Sequence, residues 1–167
     1  MKFNAYIQAI YLAASAGTQM LSVNTAKAIA GSGLEGDRYA LGTGAYSAIE
    51  PTKVRHVSII ALSAIDTAND WLTAGDEPTF DGSETRRNIA LAGITASELN
   101  ALVGQRFQIG SIQLLGTELC TPCERPAQLL SRSSFMEAFE GRGGIRAEVL
   151  TSGALAVGDK LLIEEGE

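Results

Sequence analysis

Residues 105–126 read QRFQIGSIQLLGTELCTPCERP. As far as Leu119 the stretch largely alternates apolar and polar residues, and Gly110 interrupts the alternation once. A period of two marks a strand with one buried face, and a glycine between two such runs marks a hairpin turn. The stretch therefore predicts two antiparallel strands and then a break. Both cysteines of the chain, Cys120 and Cys123, lie at that break. Alternation from Leu115 through Thr117 and Leu119 makes Cys120 strand-like and leaves Cys123 in the loop.

Outward from the hairpin, the same period recurs. AYIQAIYLA (5–13) predicts a first strand, and Val23, Ala26 and Ile29 mark a second within 20–31, ended by Gly31. HVSII (56–60) is a compact β-branched strand and NIALAG (88–93) a short extended one. GRGGIRAEVLTSGALAVGDKLLIEE (141–165) predicts two strands with turns at Gly153 and Gly158–Asp159. LVGQRFQIG (102–110) and AVGDKLLIE (156–164) are alike, each a Val-Gly turn feeding a strand. Helices are short. Ser63 and Asp66 have capping-box spacing before an apolar face of Leu62, Ile65, Trp71 and Leu72, which Gly75 ends. Thr95 and Glu98 open another as far as Gly104, and Ser134 and Glu137 a third. The fold expected is mostly β with short helices, an α+β chain closing into a small β-barrel, as a single domain over residues 1–167.

Composition narrows the function classes. The chain has 167 residues, 46% of them apolar, and a net charge of −6, which argues against a nucleic-acid coat. It contains no apolar run long enough to span a membrane. The start, MKFNAYIQAIYLAASAG, shares features with a secretory signal, but Gln8 interrupts its apolar run and IQAIYLA reads as a strand. Two cysteines three apart make no secreted disulfide framework, so a cytoplasmic protein with usable thiols is expected.

Four features carry chemistry. Gly31-Ser32-Gly33-Leu34-Glu35-Gly36 is a literal G-x-G-x-x-G, yet glycines recur at 42 and 44 and no helical face follows. It reads as a tight loop of positive-φ glycines that aims Asp37 and Arg38, which can also form a buried structural pair. Glu35, Asp37 and Glu50 share the region, but their spacing makes no acid–base pair. In the CxxC, zinc would need about four ligands, and His56 is the one further soft candidate. Pro122 and Pro126 leave little room for the helix of a thioredoxin dithiol. One reactive thiol fits better, with Cys120 as a small strand hydrophobe and Arg125 favouring a thiolate at Cys123; two inert buried cysteines are the alternative. His56, the single histidine, reads as structural, and no hydrolase triad is supported. Arginine outnumbers lysine, 9 to 4, and seven arginines fall between Arg86 and Arg146. Arg38, Arg86, Arg87, Asn88, Arg142 and Arg146, with the glycine-rich loop 141–146, suggest an anion pocket assembled from distant loops.

The segments GLEGDRYALGTGAYS (33–47), HVSII (56–60), RRNIALAG (86–93), LNALVGQRFQIGSIQLLGTELCTPC (99–123) and GGIRAEVLTSGALAVGDKL (143–161), in this order, resemble a MOSC domain. That is the C-terminal domain of molybdenum-cofactor sulfurases, which also occurs as a stand-alone bacterial protein. Where the family commonly reads GLxGDRH, this chain has Tyr39 in place of histidine. The resemblance implies a barrel-like fold and a thiol function, with Cys123 matching the family's characteristic cysteine. In the sulfurases that cysteine is thought to pass sulfur from a pyridoxal-phosphate desulfurase to a molybdenum-pterin cofactor. In related reductases of N-hydroxylated compounds it is a molybdenum ligand. The resemblance thus implies a molybdenum-pterin cofactor, with Cys123 as sulfur carrier or metal ligand. Cys120 would serve as a resolving thiol. The anion contacts would be Arg38, oriented by Asp37, with Arg86, Arg87, Asn88, Arg142 and Arg146. The chain is too short to include a desulfurase, so pyridoxal phosphate is expected only on a partner, a cysteine desulfurase or molybdoenzyme. The alternatives are a molybdenum-dependent reductase and a non-catalytic anion-binding module.

Overall fold

The computed structural model describes residues 4–44, 47, 53–120 and 134–163. The strands are β1 (Tyr6–Leu12), β2 (Leu21–Val23), β3 (Thr25–Ile29), β4 (Gly33–Leu34), β5 (Val57–Ala61), β6 (Ile89–Ala92), β7 (Arg106–Ile109), β8 (Ile112–Leu119), β9 (Ile145–Val149), β10 (Gly153–Ala156) and β11 (Leu161–Ile163). The helices are α1 (Arg38–Leu41), α2 (Leu62–Ala74), α3 (Ala96–Asn100) and α4 (Phe135–Ala138), with a 3₁₀ turn over Gly82–Thr85.

An eight-stranded sheet runs β11-β7-β8-β9-β5-β6-β1-β2, and a three-stranded sheet runs β10-β3-β4. The large sheet curls into a half-barrel, giving a small barrel-like α+β fold. Backbone bonds join the β1 segment to β11 and the turn before it. Ile7 N–H donates to Asp159 O at 2.9 Å, Gly158 N–H to Ile7 O at 2.8 Å, and Leu161 N–H to Ala5 O at 2.9 Å. All the strand pairs are antiparallel except β5–β6, whose parallel register needs a crossover that α2 supplies.

The β7–β8 hairpin forms as its alternation predicts, with Ile109 opposite Ile112 across Gly110. Phe107, Ile109, Ile112 and Leu114 are all buried. Between Gly116 and Glu118 the register against β9 shifts. A Cβ at Gly116 would lie 2.2 Å from Leu102 O, so the α3–β7 connection packs on bare backbone there. The shift places Glu118 opposite Arg146 and leads the strand to a buried Cys120.

Several local readings change. Residues 20–31 form two strands in different sheets, β2 on the edge of the large sheet and β3 in the small one. Gly153 begins β10 rather than turning the chain, so the C-terminal stretch holds three strands. Helix α2 buries Ala64, Ile65, Ala68 and Leu72, while Trp71 is exposed, because small alanines let the helix lie close to the sheet. The Ser63–Asp66 capping box does not form, because α2 starts at Leu62 behind Ala61 and Ser63 lies inside the helix, where its Oγ donates to Ile94 O at 2.9 Å. The Thr95–Glu98 box does form. The polar loop over 75–87 hides a further box, Asp81–Glu84.

Candidate functional site

The glycine loop behaves as its spacing suggests: Gly31, Gly33 and Gly36 all have positive φ. Gly33 has to be glycine, since a Cβ there would lie 2.6 Å from His56 O. The loop ends in one turn of helix, α1, which the residue pattern did not predict. Asp37 sits at its N-cap position but makes no cap bond. Its Oδ1 accepts instead from Ala13 N–H at 3.1 Å and Arg38 NH1 at 3.0 Å. Asp37 is fully buried and Arg38 nearly so. Asp37 Oδ2 is buried with no hydrogen-bond partner among the described residues. A half-satisfied buried carboxylate is costly, so this oxygen suits a donor from outside the chain.

From that pair a continuous line of contacts crosses four segments. Arg38 NH2 donates to Arg86 O at 3.2 Å. Arg86 lies in the left-handed region at φ 63°, where the chain reverses into β6, and its guanidinium donates to Thr18 O. Arg87, buried, donates through Nε to Gly143 O at 2.7 Å and through NH1 to Thr85 O at 3.3 Å. Cys120 N–H donates to Gly144 O at 2.8 Å. Gly144 can approach because it lacks a Cβ, which would lie 2.1 Å from Ile59 O. The basic loop 141–146 therefore turns carbonyls toward Arg87 and Cys120, and Arg142 N–H is taken by Phe139 O.

Two predicted contacts stand apart from this line. Asn88 is a staple: Oδ1 accepts from Ser58 N–H and Ser58 Oγ, and Nδ2 donates to Tyr11 O. It ties β5, β6 and β1 together while fully buried. Arg142 donates to Ala138 O, at the end of α4, at 2.6 Å.

The last predicted arginine, Arg146, lies on β9 between Ser58 and Glu118. It donates to Glu118 Oε1 at 2.7 Å. Burial opposes its charge, but the Cys120 sulfur, the Glu118 carboxylate and Tyr39 together hold its pKa above the ordinary value. Burial also opposes the charge of Glu118, and Arg146, Lys53 and Arg55 outweigh it, so its pKa is lowered. Cys120 is a free, buried thiol near a guanidinium. Cys123 and Arg125 lie outside the described residues.

A cleft of about 320 Å³ is lined among others by Ser32, Tyr39, Lys53, Arg55 and His56. The Arg38 guanidinium stands 5.1 Å from the centre of the Tyr39 ring. His56 Nδ1 accepts from Val149 N–H at 3.0 Å. Burial pushes the His56 pKa down, against the opposing charge of Glu148. Sequence reasoning did not single out Glu118, Lys53 or this cleft. One signal was present: Glu118 sits where the β8 alternation calls for an apolar residue.

Among the described residues, no group of three or more His, Cys, Asp or Glu side chains could hold a metal. No helix among them is long and apolar enough to cross a membrane.

The fold is shared with solved bacterial structures. The YuaD protein from Bacillus subtilis superposes with a TM-score of 0.77 at 20% identity, over 94% of this chain and 93% of that one. YiiM from Geobacillus stearothermophilus gives 0.71 at 13% identity, over 96% and 75%. YiiM from Escherichia coli gives 0.66 at 16%, over 100% and 71%. No curated protein matches the chain significantly in sequence. The sequence model of the MOSC domain matches residues 35–162, most of the chain, and the protein belongs to the MOSC domain family. That family is linked in general to molybdenum-cofactor binding and sulfurase-related roles.

The residues present fit such a cofactor in part. The orphaned Asp37 Oδ2 is an acceptor suited to a pterin N–H. The guanidinium line supplies positive charge for a phosphate, although Arg38 and Arg87 already spend donors on protein oxygens.

Proposed function

We propose that this protein binds a molybdenum-pterin cofactor or carries sulfur to it, using Cys123 as a thiolate. The observation that carries the reading is the contact line from Asp37–Arg38 through Arg86, Arg87, Gly143 and Gly144 to Cys120. It gathers most of the sequence-predicted residues around the strand end from which the Cys123 segment departs. In this reading Asp37 and Arg38 orient the cofactor, Arg86, Arg87, Arg142 and Arg146 supply positive charge, and Asn88 holds the sheet beneath them. The cofactor would supply an oxidisable metal centre and a thiol acceptor. Cys123 attacks the outer sulfur of a partner's persulfide, the partner's thiolate leaves, and a Cys123 persulfide forms. Cys120 is the resolving thiol, in a reducing cytoplasmic setting. The partner is a cysteine desulfurase that carries its own pyridoxal phosphate, or a molybdoenzyme that accepts the product.

Elemental and persulfide analysis of protein purified from its own host tests this. Stoichiometric molybdenum with a pterin supports the cofactor-binding form, and it opens the question of reduction of N-hydroxylated compounds. Metal-free protein with a trappable persulfide on Cys123 supports the carrier form. Neither result, together with slow alkylation of Cys123 at pH 7, would overturn the proposal in favour of a non-catalytic anion-binding module.

A further inference from the structure

We propose that the cleft between the 31–42 loop and the segment entering β5 binds the phosphate end of a small molecule, with His56 Nε2, Tyr39, Ser32 and Lys53 as donors. The inference stands apart from the molybdenum reading, because it needs neither a metal nor Cys123.

The argument starts from which donors are already spent. The buried arginines give theirs to carbonyls: Arg38 to Arg86 O, Arg87 to Gly143 O and Thr85 O, Arg142 to Ala138 O. The cleft is different. A ring nitrogen that accepts a hydrogen bond carries no proton, so the bond from Val149 N–H to His56 Nδ1 places the single proton of the neutral ring on Nε2. Nε2–H has no protein acceptor among the described residues, and neither do the hydroxyls of Tyr39 and Ser32. Lys53 makes one contact of 3.6 Å to Glu118 and is otherwise largely exposed.

These donors come from two segments, the 31–42 loop and the stretch entering β5, and line one cleft of about 320 Å³. Four donors suit the several oxygens of a phosphate better than the two of a carboxylate. Lys53 and Arg55 add positive charge, and among the described residues no acidic side chain lines the cleft. Glu118 pairs with Lys53 and Arg146, and Glu148 acts on His56. The volume exceeds that of a phosphate group and leaves room for a further body beside Val54 and the Tyr39 ring.

The test uses the full chain and inorganic phosphate. Because His56 is the single histidine, it gives one imidazole signal in a ¹H–¹³C spectrum. At pH 7.5 that signal should report the neutral Nε2–H tautomer and move saturably as phosphate is added. Acetate should bind more weakly. Asparagine can keep the bond to Val149 through its Oδ1 while removing the cleft donor, so His56→Asn should retain the fold and bind phosphate about tenfold more weakly. His56→Gln keeps a donor near Nε2 and should bind more tightly than His56→Asn. An imidazole signal indifferent to phosphate would overturn the proposal without any variant. So would wild-type affinity in His56→Asn, or acetate binding as tightly as phosphate.

Discussion

Asp37–Arg38 and Glu118–Arg146 are both carboxylate–guanidinium pairs, at 3.0 and 2.7 Å, yet they play different parts. The first joins chain neighbours in the interior, with side chains 0% and 9% exposed. The second joins opposed strands nearer the surface, with side chains 34% and 25% exposed. The shorter pair is the one that water can replace. Burial, rather than distance, decides which pair the fold depends on. It also decides which pair water reaches, and that is Glu118–Arg146, near Cys120.

The largest expected effect follows from breaking the buried pair. Arg38→Ala leaves Asp37 as an uncompensated buried charge, a loss of about 3–5 kcal/mol in urea unfolding. A loss below about 1 kcal/mol would mean that the two pairs are equivalent after all. Gly144→Ala should come next. It forces a Cβ into Ile59 O at φ 94°, which should cost about 2–4 kcal/mol by the same measurement. Glu118→Gln should change stability by less than about 1 kcal/mol. Its clearer readout is Cys120, whose alkylation rate should change as Arg146 loses its carboxylate partner.

The smallest expected effect is a dependence on pH. The folded-state pKa of His56 lies below its ordinary 6.5, so between those values the unfolded chain holds more protons. Stability is then fully present above pH 6.5 and declines as pH falls from there toward the folded-state value. Glu118 is also lowered, from 4.5, so its contribution is lost only at more acidic pH, as the pH falls through its folded-state value. Thermal melts between pH 5 and 8 should show the decline in wild type and in Glu118→Gln. In His56→Asn it should be flat, and a decline there would assign the slope to another group.

The two capping-box patterns show how far sequence reading reaches. Thr95-x-x-Glu98 and Ser63-x-x-Asp66 follow the same rule, and only the first forms. Ser63 is no cap because the helix starts a residue earlier, behind Ala61, and its hydroxyl donates to Ile94 O, thirty-one residues away. Asp81-x-x-Glu84 was legible by the same rule but sat inside a stretch read as loop. The arginines behave in the same way. Their type and loop positions suggested anion contacts, but a guanidinium meets whichever oxygen the fold brings first. For Arg87 that is Gly143 O, fifty-six residues along the chain.

Local periodicity was sufficient for the β7–β8 hairpin, for β1, β5 and β6, and for the glycine loop that presents Asp37 and Arg38. Alternation and positive-φ glycines act between residues a few positions apart, so the one-dimensional pattern contains them. Strand order, the split of residues 20–31 between two sheets, and the placing of His56, Tyr39 and Lys53 on one cleft belong to the tertiary structure. Each depends on which distant backbone group reaches a donor or an apolar face first. Loop closure over tens of residues leaves no period in the sequence to announce that outcome.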